Sequence, residues 1–92
     1  SKAFNEWTKT LKGDANTITS YKMNILSFIM FLTQLKTLNP TLDNVSTYIN
    51  KRAKCKSKEA VDEYKKSVKS FLKFLEKKGN KQNPKIYKYL NI

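Results

Sequence analysis

Ninety-two residues suffice for one domain with a single modest core, and a formal charge of +12 is extreme at that length. Histidine is absent and Cys55 is the only cysteine, so no internal disulfide can form and no Cys/His metal set exists. With no glycine-rich phosphate loop or nucleophile elbow either, and its carboxylates few and scattered, the composition argues against an enzyme working from these residues alone.

The first helix is expected over about Ala3 to Lys12, with Phe4, Trp7 and Leu11 on one face and Gly13 as its stop. Asp14 then caps a second helix running to about Thr37, where its carboxylate accepts free amides of the first turn. Ile18, Tyr21, Ile25, Phe28, Leu32 and Leu35 recur at steps of three and four, with Ile29 beside them. Met23, Leu26 and Met30 form a second stripe roughly opposite, and Phe31 sits off both. The simpler reading has the first helix cover that stripe through Phe4 and Trp7. The other makes it a docking surface for a second protomer or another domain.

Asn39-Pro40 breaks the chain, and Thr41 caps a third helix from about Leu42 to Lys54, with Leu42, Val45, Tyr48 and Ile49 inward. Lys54 and Lys56 flank Cys55 as they would a reactive thiol, although an incidental loop cysteine is the simpler reading. Ser57 caps a fourth helix that reaches Lys78 and closes at Gly79. Val61, Tyr64, Val68, Phe71, Leu72 and Leu75 line one side of it, and Lys58, Lys65, Lys66, Lys69 and Lys73 gather along an edge of the rest. Lys77, Lys78 and Lys81 read as a solvated face. Residues 85–92 read as a tail, or as the start of a linker, behind a domain spanning 1–84. The expected architecture is an all-α four-helix bundle.

Charge is uneven along the chain. Residues 1–40 hold five basic and two acidic side chains, a net of +3, whereas residues 41–92 hold fourteen and five, a net of +9. Self-repulsion of this size points to a polyanionic partner. All the basic residues but Arg52 are lysine, a flexible point charge that suits phosphate contact better than bidentate reading of base edges. The second helix opens with Asn16, Thr17 and Ser20, followed by Lys22; the fourth opens around Lys54, Lys56, Ser57 and Lys58. Helix N-termini present free amides to phosphate oxygens, and neighbouring lysines neutralise adjacent phosphates.

Order and spacing add a family resemblance. Asn16-Thr17-Ile18-Thr19-Ser20-Tyr21 resembles the N-T-x-x-x-Y opening of the N-terminal core-binding, or SAM-like, domain of the tyrosine recombinases (phage integrases and Xer-type proteins). Ser67-Val68-Lys69-Ser70-Phe71-Leu72-Lys73-Phe74-Leu75-Glu76-Lys77-Lys78-Gly79, followed by Asn83-Pro84, resembles its second half, so that the likeness runs from about Phe4 to Pro84. The resemblance implies a module that clamps core-site duplex DNA from the side opposite the catalytic domain of the same parent chain, as part of integration or recombination. On that basis Asn16, Thr17 and Lys22 fall in the contact region of the second helix. Lys56, Lys58, Lys65, Lys66 and Lys69 fall in that of the fourth, where Lys73 continues the same edge. The family's catalytic arginines, histidine and tyrosine belong to a later domain, so the chain, which begins with Ser, reads as an excised piece of a mobile-element recombinase. Tyr87 and Tyr89 lack the surroundings of a nucleophile. No cofactor or metal is expected. With a single cysteine a reducing intracellular setting is expected, the cytoplasm, associated with the nucleoid when bound to DNA. Near absence of arginine departs from the family pattern and weakens the case for base readout.

Two other readings compete. One is a protein-interaction bundle whose lysines serve solubility; the other is a stand-alone viral or plasmid DNA-binding protein. A membrane-surface role is weaker because the apolar side of the lysine-edged helix is needed for the core.

Overall fold

The computed structural model describes residues 2–91, and every regular element among them is helical. The order is α1 (Lys2–Thr8), α2 (Ala15–Leu35), α3 (Leu42–Ala53), α4 (Lys58–Lys77) and α5 (Pro84–Leu90). All four expected helices form, and a fifth follows them.

Local chemistry sets the boundaries. Asp14 accepts a hydrogen bond from the Asn16 amide, and Ser57 one from the Ala60 amide, as N-cap side chains do. Thr41 and Asn44 form a reciprocal capping box at the start of α3. At the end of α4 the Gly79 and Asn80 amides donate to the Glu76 and Leu75 carbonyls, and Gly79 takes φ +97° to allow it. α1 is shorter than its apolar spacing suggests. Thr8 and Thr10 hydroxyls donate to the Asn5 and Trp7 carbonyls, and the Thr10 amide turns back to Trp7, so the helix closes four residues before Lys12.

α2 ends on a lysine in the left-handed region, Lys36 at φ 56°. A side chain there is strained by roughly 1 kcal/mol relative to glycine. Lys36→Gly is expected to raise the thermal midpoint by about 2–6 °C, measured by circular dichroism.

The core is one cluster contributed by all five helices. Trp7, Ile25, Phe28, Leu32, Val45, Tyr48, Ile49, Val68, Phe71, Leu72, Leu75, Ile86 and Leu90 are buried. α4 is the hub: it packs against α1, α2, α3 and α5. The Trp7 indole stands edge-on to Phe71 with centroids 5.5 Å apart and donates to Ser70 Oγ at 3.1 Å. Arg52 lies 4.7 Å over the Tyr64 ring and donates to Ser27 Oγ, so the lone arginine ties α3 to α2 and α4.

Three expectations are corrected here. Residues 84–90 form a helix where a tail or the start of a linker is expected from the sequence. Asn83 caps α5, Pro84 occupies its first turn, and Ile86 and Leu90 are 0% and 1% exposed. The connection ahead of it is stapled to the α2–α3 loop, where Gln82 Nε2 donates to the Leu38 carbonyl and Asn39 Nδ2 to that of Lys81. Next, α1 does not cover the second stripe of α2, because Trp7 is drawn towards Phe71 and Ser70 on α4. Met23, Leu26 and Met30 stay 64%, 46% and 66% exposed. Finally, Lys78 is not merely solvated. It pairs with Glu6 at 3.1 Å and ties α4 to α1, holding the Glu6 carboxyl below the usual carboxylate range.

Candidate nucleic-acid interface

α2 and α4 pack side by side, which brings two of the expected contact regions together. Asn16, Thr17 and Lys22 are exposed on the first two turns of α2; Lys56 and Lys58 are exposed at the opening of α4. Thr17 is partly engaged, its hydroxyl 3.5 Å from an Asp14 carboxylate oxygen. Thr17 and Tyr21 from α2 share a crevice with Glu59, Asp62, Glu63 and Lys66 from α4. The carboxylates are therefore less scattered than the sequence implies. Three of the seven gather where α4 begins, and Lys66 stands among them. Burial, followed by the Glu63 charge, pushes the Tyr21 phenol up.

The remaining lysines of α4 have different neighbours. Lys65, Lys69 and Lys73 are spaced four residues apart, so they stand in a row about 12 Å long on one side of the helix. α5 meets this row. Lys65 Nζ lies 5.1 Å from the Tyr89 ring centroid, Lys73 Nζ lies 5.6 Å from that of Tyr87, and Lys69 Nζ donates to Asn91 Oδ1 at 2.8 Å. None of the three has a carboxylate partner, the one ion pair among the described residues being Lys78–Glu6. Asp62 and Glu76 stand three residues before Lys65 and three after Lys73 on the same helix without pairing with the row, and Lys85 and Lys88 are exposed on α5.

Neither tyrosine of α5 is set up for nucleophilic work. Tyr87 donates to Glu76 Oε1 at 2.9 Å, and burial together with that carboxylate pushes its phenol strongly up. Burial pushes the Tyr89 phenol up as well. Both shifts favour the neutral phenol over the phenolate.

Sequence reasoning missed Tyr87, Tyr89 and Asn91 as neighbours of the lysine row. A signal was present in Asn83-Pro84 followed by Ile86 and Leu90 four apart, which spells a capped helix with one apolar side.

The all-helical fold agrees with a comparison against protein families. The sequence profile of the phage integrase N-terminal SAM-like domain matches residues 4–79. The chain belongs to this family. The match is to the N-terminal helical domain of phage integrases and not to their catalytic domain. No curated protein and no solved structure matches the chain significantly. Among the described residues no helix of this integrase domain is long and apolar enough to cross a membrane, and no group of three or more potential metal-ligating side chains occurs.

Proposed function

We propose that this integrase N-terminal domain is the DNA-binding module of a tyrosine recombinase, clamping core-site duplex DNA through α2 and α4 during integration or recombination. The observation that carries the reading is the row of Lys65, Lys69 and Lys73, exposed or half-exposed and forming no ion pair among the described residues. Asn16, Thr17 and Lys22 at the opening of α2, with Lys56, Lys58 and Lys66 on α4, extend the contact surface. Phosphate contacts supply most of the affinity, since lysine is a point charge and the lone arginine is occupied by Tyr64 and Ser27. The partners are duplex DNA and the catalytic domain of the same parent chain, and the setting is the cytoplasm at the nucleoid.

The test is binding of a labelled duplex at low salt, followed by fluorescence anisotropy, with unlabelled duplexes of unrelated sequence as competitors. Binding is expected, with unrelated duplexes competing to within about tenfold, because phosphate contacts carry no sequence information. Absence of binding at low salt overturns the proposal.

The exposed Met23, Leu26 and Met30 stripe favours a second role beside the first. It is a contact face for another protomer on DNA, where bound phosphates relieve the repulsion between two strongly positive chains.

A further inference from the structure

α5 lies outside the residues that match the family profile, yet it holds the ends of three α4 lysines. A free lysine stem samples many rotamers, and ordering it on a phosphate costs that freedom at the moment of binding. Here the ordering is done in advance. Ile86 and Leu90 anchor α5 in the core, Tyr87 is fixed further by its bond to Glu76, and the rings and the Asn91 amide then receive Lys73, Lys65 and Lys69. A ring or one amide oxygen leaves most of the three N–H donors of each ammonium directed elsewhere.

We infer that α5 is a positioning element of the phosphate-binding surface, in which Tyr89, Tyr87 and Asn91 hold Lys65, Lys73 and Lys69 in a row that follows the phosphates of duplex DNA. The inference rests on the DNA-binding reading and extends the surface from α4 onto α5. Lys88 is exposed between the two tyrosines in sequence.

A double-mutant cycle on Tyr89 and Lys65 in the whole chain, read by duplex affinity, tests it. Tyr89→Leu keeps an apolar side chain against the core and removes the ring. It is expected to weaken binding about two- to fivefold, the size of an exposed cation–π contact. Tyr89→Phe keeps the ring and is expected to bind as the parent does. In a Lys65→Ala background, Tyr89→Leu should change nothing further. Asn91→Ala, at an exposed position beyond the helix, repeats the cycle with Lys69 where no core packing is at stake. Equal losses with and without the lysine would reduce α5 to a structural support and overturn the inference. Undiminished binding by both Tyr89→Leu and Asn91→Ala would overturn it too. If Asn16→Ala/Thr17→Ala/Lys22→Ala loses affinity while those two variants do not, the DNA-binding reading stands and the role of α5 falls. No binding by the parent chain removes both.

Discussion

Trp7→Ala is expected to lower the thermal midpoint by roughly 15–30 °C. Trp7 is 1% exposed, and its ring fills the space between α1 and α4 against Phe71. Truncating a buried tryptophan costs about 3–5 kcal/mol through forfeited transfer energy and the cavity left behind. The Ser70 hydroxyl is also deprived of its indole partner. For a domain of this size each kilocalorie moves the midpoint by about 4–8 °C, and total stability is only about 5–15 kcal/mol. α1 has seven residues, too few to persist alone, so its docking depends on this anchor. Trp7→Phe retains the edge-on contact with Phe71 and should recover most of the loss. Thermal melts of the two variants separate packing of the ring from the indole hydrogen bond.

Lys65→Ala/Lys69→Ala is expected to weaken duplex binding roughly 60-fold at about 0.1 M salt, because each lysine withdrawn from a phosphate lowers the salt exponent by about 0.9. The effect should be similar for every duplex sequence, since contacts to phosphates carry no sequence information. Both side chains are half-exposed and touch α5 through Tyr89 and Asn91, so a thermal melt of the double variant accompanies the affinity measurement to separate lost charge from lost packing. Unchanged affinity in the double variant would place the interface on another surface. Lys81→Ala serves as the control: it is equally charged and exposed but lies off α4, and a small effect is expected from it.

Much of the fold was legible because its signals are local. Asp14, Thr41 and Ser57 are caps whose effect acts over three residues, and the inward positions of α2, α3 and α4 follow from a single period. What escaped depends on contacts distant in sequence. Whether Met23, Leu26 and Met30 are covered turns on where Trp7 docks, and Ser70 decides that from 63 residues away. α5 spans only seven residues, too short for periodicity to stand out, and it is held by Ile86 and Leu90 in a pocket built by α3 and α4. The candidate interface shows the same division. The four-residue spacing of Lys65, Lys69 and Lys73 predicts a row, whereas the carboxylates around Thr17 and the tyrosines beneath the lysines emerge only when the helices pack.

The central claim, that this integrase domain grips duplex DNA chiefly through lysine–phosphate contacts, is tested most directly by titrating duplex affinity against monovalent salt. About five engaged lysines give a slope of roughly −4 to −5 for log K against log salt, and Lys65→Ala/Lys69→Ala should flatten it by about 2. A parent slope near zero, or one that the double variant leaves unchanged, would contradict the account.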